Sequence, residues 1–205
     1  MAEKRRGRPR DEAARDRIMQ AATAMFLADG YATTTVGGIA AEAGVAVQTV
    51  YSAYSSKVGV LSAVHDVAIA GDETTPLLDR DWATGLVELG SISEAWGEAV
   101  RHVGRATALV APIYAVIESA SADPDVAQLL ATLRDQRREF SAVLAERLLS
   151  RPGVGAGVGP RRVADLLYAT LSVASYIPLV VECGWSQDQW QDWVQGVGER
   201  EFAPQ

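Results

Sequence analysis

Cysteine occurs once in the 205 residues and histidine twice, so an intrachain disulfide is excluded and the usual ligands for transition metals are nearly missing. Cys183, His65 and His102 stand at no paired ligand spacing, and no nucleophile motif accompanies them, so no metal, no cofactor and no enzymatic activity are expected. No run of about 18 uncharged apolar residues exists, and no membrane span is expected. The basic start leads into Asp11, Glu12, Arg15 and Asp16, not into the apolar stretch of a secretory signal. A soluble cytoplasmic protein is the expectation. The glycines at 153, 155, 157 and 159 follow Pro152 and a helical stretch. They lack the lysine and hydroxyl of a phosphate loop, and are read as a linker. What the chain does have is 48% hydrophobic residues, enough to build a sizeable core and to exclude wholesale disorder.

Charge is unevenly spread. The net charge is −7, yet residues 1–57 hold eight Lys or Arg against six Asp or Glu, leaving an excess of nine acids over cations in the remainder. Five of those cations, Lys4, Arg5, Arg6, Arg8 and Arg10, lie within seven residues containing no acid. With Gly7 and Pro9 among them, residues 1–10 are expected to form a flexible basic arm. Alone, such an arm is equally a solubilising tail.

Apolar periodicity is helical throughout and no alternating strand pattern of useful length occurs, so the class is all-α. Ile18, Ala22, Met25 and Phe26 form the stripe of a first helix over about 11–28, stopped by Asp29 and Gly30. Thr34 or Thr35 caps a short second helix ending at Gly44. A third runs from about 46 to 54, and Ser55 or Ser56 caps a fourth. Residues 71–91 read as irregular. Helices are then expected over about 92–109, 112–122, 124–149, 161–181 (bent by Pro178) and 186–202. Of these, 124–149 turns Val126, Leu129, Leu130, Leu133, Phe140, Val143, Leu144 and Leu148 inward. The domains are expected at 11–55, a compact helical head, and 56–205, a larger helical part.

Ala40, Gly44 and Val50 carry the functional argument. Two helices crossing steeply through a short turn need a small residue at their closest approach, a glycine in the turn and an apolar residue packing back. Those are helix-turn-helix requirements, although any tight helical hairpin shares them. The helix after the turn offers Gln48, Thr49, Tyr51, Ser52 and Tyr54 with no acid, and Lys57 follows at a helix start, where ammonium and dipole both attract an anion. With the basic arm ahead, the pattern is that of a DNA-binding surface.

Over about 17–64 the chain resembles the tetracycline-repressor-type (TetR) family of transcriptional regulators. The resemblance is carried by Ala21-Ala22, Met25-Phe26, Gly30-Tyr31, Thr34-Thr35-Val36, Ile39-Ala40, Ala43-Gly44-Val45, Thr49-Val50-Tyr51, Tyr54 and Ser56-Lys57. It implies a homodimer with N-terminal three-helix heads on double-stranded DNA, a larger C-terminal helical domain, and repression relieved by a small molecule, with the fourth helix as the lever between them. Thr34, Thr35, Tyr51 and Lys57 match phosphate-contacting positions, and Val47, Gln48 and Ser52 match groove-facing ones. Gln48 suits the paired donor and acceptor of an adenine edge, whereas Val47 meets only a thymine methyl. Two departures stand out. Ala46 replaces the usual hydroxyl cap of the reading helix, and Gly37 and Gly38 occupy positions often polar in relatives, where they either let backbone approach phosphate or loosen the head. With so little polar readout, the arm is expected to supply affinity from the minor groove.

The acidic remainder is expected to turn away from DNA. The last two helices, about 161–202, are expected to form the dimer surface, with Trp185, Trp190 and Trp193 as its aromatic area. Those tryptophans serve equally well to cap a monomer core. Candidate ligand-binding residues are Trp96, Val100, Val103 and Thr107 on one helical face, the aromatic Tyr114, Phe140, Tyr168 and Tyr176, and the polar Glu118 and His102. They suit a small, largely apolar effector. The alternatives are a helical protein-interaction module and a DNA-binding activator without an effector.

Overall fold

The computed structural model describes residues 8–71, 75–150 and 158–202. Among them every regular element is helical: α1 Arg8–Thr33, α2 Val36–Glu42, α3 Val47–Tyr54, α4 Lys57–Ala70, α5 Asp81–Gly85, α6 Ile92–Ser119, α7 Pro124–Leu149, α8 Pro160–Thr170, α9 Val173–Tyr176 and α10 Gln187–Phe202. Single turns at Leu77–Asp79 and Leu86–Glu88 flank α5, and a π-helical turn, Ile177–Glu182, follows α9. The all-α expectation holds. No single described helix is long and apolar enough to cross a membrane.

Two compact units form. The first contains the described residues up to Val67 together with Pro112–Leu130, and the second contains Ala68–Ala111 and the described residues from Ala131 onward. The first unit thus includes part of α4 and a segment spanning the end of α6 and the start of α7. Its core includes Ile18, Ala22, Phe26, Ile39, Val50, Val60 and Leu61, none more than 1% exposed, and Val60 and Leu61 belong to α4. Ile113, Ile117 and Val126 are buried as well. Tyr114, on α6, places its ring 6.4 Å from that of His65 on α4.

The second unit is built around a cluster in which Trp96, Leu144, Leu148, Val163, Leu167, Trp190 and Val194 are buried. Each large side chain removed from water contributes about 1.5 to 3 kcal/mol. Trp96 meets the backbone of α10 directly: its indole N–H donates to the Val194 carbonyl at 3.2 Å, and a Cβ on Gly198 would fall 2.3 Å from that nitrogen. On α10 the inward row is Trp190, Val194, Gly198 and Phe202, at four-residue spacing, so Trp193 and Val197 lie on a different stripe. On α7, Val126, Leu130, Leu133, Leu144 and Leu148 are buried as expected, while Leu129, Phe140 and Val143 are half-buried.

Four expectations about the helices need correction. α1 begins at Arg8, not at residue 11, so the end of the basic arm is helical; Pro9 falls in the first turn, where its missing amide costs nothing. Residues 1–7 lie outside the described residues. α6 runs unbroken through Pro112, where burial of Val110, Ala111, Ile113 and Ile117 offsets the roughly 3 kcal/mol that an interior proline costs. Residues 75–91 are not irregular but hold three short helical turns anchored by the fully buried Ala83 and Leu86. The long apolar segment after 160 breaks at Leu171 and Ser172, not at Pro178, and its two parts are bent by 52°. There Ser172 accepts from the Ser175 amide at 3.1 Å, and the Ser175 hydroxyl donates to the Thr170 carbonyl at 2.5 Å. Those hydroxyls satisfy backbone groups that a break would otherwise orphan.

Candidate nucleic-acid interface

The turn between α2 and α3 is built as its steric needs require. Ala40 and Val50 are each 1% exposed, and Gly44 takes a positive φ of 64°, a region in which a side chain is strained. The Val45 amide donates to the Ala40 carbonyl at 2.9 Å across the turn. From α1, Arg17 donates through Nε to the Ala43 carbonyl at 3.0 Å, fastening the end of α2 to the helix behind it. Thr35 is the N-cap of α2, accepting from the Gly38 amide at 3.0 Å, while Ala46 leaves α3 without a side-chain cap.

Val50 anchors α3, and the opposite face is free. Gln48, Thr49 and Ser52 are exposed, Val47 is 43% exposed and Tyr51 44%, with no acid on the helix. Thr35 is exposed at the start of α2. These six residues share one accessible surface of hydroxyls, one amide and two apolar groups, suited to hydrogen bonding with phosphates and base edges.

Thr34 and Lys57 differ from expectation. Thr34 is fully buried and its hydroxyl donates to the Gly30 carbonyl at 2.8 Å, so it closes the α1 end and offers nothing to phosphate. Gly30, with φ 76°, makes that turn. Lys57 is half-buried; its ammonium donates to the Tyr31 carbonyl at 2.8 Å and lies 3.9 Å from the centre of the Tyr31 ring. An ammonium has three protons, but this one is first a clamp between α4 and the end of α1. Burial raises the pKa of the Tyr31 phenol, and Asp123 and Asp125 raise it further, so the ring stays neutral beneath its cation. Of the arm, Arg8 and Arg10 lie in α1, and Lys4, Arg5 and Arg6 lie outside the described residues.

Three contributors escaped the sequence reading. Arg17 shows no periodicity signal, because its role is to hydrogen-bond a carbonyl 26 residues away. Ser55 has a φ of 65°, the only positive value outside glycine among the described residues, and the Ser56 amide donates back across it to the Tyr54 carbonyl at 2.7 Å. Gly59 is the third: a Cβ there would stand 2.0 Å from the Tyr54 carbonyl oxygen. A glycine inside an apolar helical run was its visible signal.

The candidate ligand residues do not come together as one set. Trp96, Val100 and Val103 are core, and the Thr107 hydroxyl is buried and donates to the Val103 carbonyl at 2.9 Å. Phe140 and Tyr176 are half-buried against the same core, Tyr176 edge-on to Trp190 at 5.2 Å. His102 stacks on Trp82 at 4.8 Å, and Tyr168 lies under the guanidinium of Arg137 at 3.9 Å. Tyr114 and Glu118 are half-buried on the far end of α6. Trp96 packs against α10, its indole N–H on the Val194 carbonyl.

Comparison with known proteins extends beyond the interface. Residues 18–64 match the sequence model of the family described as bacterial regulatory proteins, tetR family. No curated protein matches the sequence significantly. Among solved structures, NalD, the secondary repressor of the MexAB-OprM multidrug efflux pump in Pseudomonas aeruginosa, is similar with a TM-score of 0.68 and 18% identity, covering 92% of this chain and 96% of its own. A transcriptional regulator from Saccharomonospora viridis in complex with choline reaches 0.63 at 19% identity, over 90% and 94%. The fatty acid degradation regulator FadR from Bacillus halodurans reaches 0.61 at 18%, over 95% and 96%. These likenesses show the fold along nearly the whole chain. Residues 18–64, with the helix-turn-helix built as described, are thus similar in sequence to the bacterial regulatory proteins of the tetR family.

Proposed function

We propose that the protein is a homodimeric repressor that grips a two-fold-symmetric operator and releases it when a small, largely apolar molecule binds. The carrying observation is the exposed, acid-free face of α3, held in place by the buried Val50 and by Arg17 on the α2 end. Val47, Gln48 and Ser52 face the groove in this reading, with Thr35, Thr49 and Tyr51 on the backbone. Gln48 is the one side chain able to read a base through two hydrogen bonds, worth about 1 to 3 kcal/mol. Lys57 joins them only with the protons that Tyr31 leaves free. Affinity then has to come largely from the cations at 4–10, through phosphates or the minor groove.

The dimer is assigned to 161–202, where Val181 is 66% exposed and Trp193 36%. Trp190 contributes nothing there, being fully buried in its own chain. Repression by NalD and capture of choline by the Saccharomonospora viridis regulator support the repressor and effector parts of the reading. An effector acts only by binding more tightly to the state whose heads are wrongly spaced, and α4, one continuous helix from Lys57 to Ala70, is the lever.

The test is nuclease protection on the DNA upstream of the protein's own coding region, with the full chain and with a chain lacking residues 1–9. Two protected half-sites, centred about 10 base pairs or a multiple apart, and a salt dependence that flattens on deletion are expected. A footprint without two-fold symmetry overturns the dimeric reading. Binding unaltered by the deletion, at both low and high salt, overturns the role of the arm.

A further inference from the structure

We propose that the groove between α7 and α8 is a binding site for a small organic carboxylate. Arg161, Ala164, Asp165 and Tyr168 of its lining fall within the segment proposed for the dimer, and Tyr168 is also one of the candidate effector residues, but the proposal needs neither reading to hold. The groove encloses about 390 Å³, at the lower end of the roughly 300 to 1,000 Å³ in which small ligands bind.

One end of it is built from donors. Two guanidiniums converge on the ring of Tyr168, that of Arg137 at 3.9 Å and that of Arg138 at 5.3 Å from its centre. Tyr168 and Arg138 both line the groove. Arg137 buries its Nη1 with no hydrogen-bond partner, a state that folded proteins rarely tolerate without a ligand or water to receive the proton. Ser141, one turn along α7 from Arg138, lines the groove while only 3% exposed. No described residue hydrogen-bonds its hydroxyl. Among the described residues the carboxylate paired with this end is Asp135, 2.7 Å from Arg138, and both of those side chains are more than half exposed, so solvent screens the pair.

Arg138, Ser141 and Tyr168 thus line this end of the groove with donors, and Arg137, which lies over the Tyr168 ring, keeps a buried N–H without an acceptor. A carboxylate, planar and able to take two parallel hydrogen bonds from a guanidinium, fits that end. Ala142, Ala164 and Pro160 give the remainder of the groove an apolar wall for the carbon skeleton. Glu146 lies about 12 Å along α7 from Arg138, whereas Asp165 lies one turn back from Tyr168 along α8. They oppose a second negative charge, which favours a monoanion.

Isothermal titration of the full chain with benzoate, its neutral counterpart benzamide, and inorganic phosphate tests the site. Benzoate is expected to bind saturably and at least tenfold more tightly than either of the others. Ser141→Ala and Arg138→Gln are each expected to weaken benzoate at least fivefold, with the thermal midpoint of Ser141→Ala unchanged. Benzoate binding no tighter than benzamide overturns the proposal, as does wild-type affinity in Ser141→Ala. Phosphate binding as tightly as benzoate overturns the carboxylate assignment in favour of a general anion site. None of these readouts involves DNA, so they remain separate from any failure of the repressor reading.

Discussion

A methyl group on Gly59 would sit 2.0 Å from the Tyr54 carbonyl oxygen, whereas one on Gly37 would meet nothing nearer than Thr35 Oγ1 at 4.0 Å. The two glycines, both in helices of the head, therefore predict opposite outcomes. Gly59→Ala has to push the end of α3 away from α4 and should cost about 1 to 3 kcal/mol, seen as a lower denaturant midpoint. Gly37→Ala should gain about 1 kcal/mol from helix propensity. Should Gly37→Ala raise stability yet weaken DNA binding, the glycine serves close approach of backbone to phosphate. Gly38 has a different cause, because a Cβ there would lie 2.9 Å from the Met25 methyl. At this scale the sequence was a partial guide. Gly30, Thr35 and Gly44 were legible because each obeys a local rule of φ or capping. The partners of Thr34 and Lys57 were not legible, because what binds them, the Gly30 and Tyr31 carbonyls, is backbone, which carries no residue identity.

Helix starts show how uneven the local instructions are. Ser91 and Glu94 form a reciprocal capping box ahead of α6, each accepting from the other's amide at 3.2 Å, and Ser186 with Gln189 repeats it ahead of α10 at 3.1 and 2.8 Å. α3, the helix proposed to read DNA, has no such cap, although Ala46 already holds the extended φ of −70° and ψ of 144° that a cap needs. Ala46→Ser should therefore supply the missing acceptor without moving backbone, gaining about 1 kcal/mol. Thermal unfolding should register it as a rise of roughly 2 to 4 °C; no rise would mean the α3 amides are already satisfied by solvent at no cost. Helix ends set by such local chemistry were readable in the sequence. The passage of α6 through Pro112 and the break at Leu171–Ser172 were not, since both are settled by burial against distant parts of the chain, where local preference loses.

For the molecule as a whole, the sequence is acidic beyond residue 57 and basic before it, so the N-terminal residues are the part suited to polyanions, and the proposed dimer would carry two such parts. Val181→Asp tests that arrangement cleanly because the side chain is 66% exposed and the change leaves the monomer's core intact. In an interface the new carboxylate would be buried without a partner, at roughly 3 to 5 kcal/mol. Sedimentation should show a monomer and operator affinity should fall with it; a dimer of undiminished strength would place the contact elsewhere. The family resemblance was legible in residues 18–64, but ligand and partner surfaces were not, because apolar stripes look alike whether they face a core, a cavity or a second chain.

Lys57 gives the protein a built-in reporter. The chain has only two lysines, its other cations being arginines, and Lys57 is held by a carbonyl and a ring at the junction of α1 and α4. An acylating reagent can take that amine only while the tether is undone. The extent of labelling at a single peptide, followed by mass over time, would thus record how often the junction of α1 and α4 loosens, with no probe to be engineered.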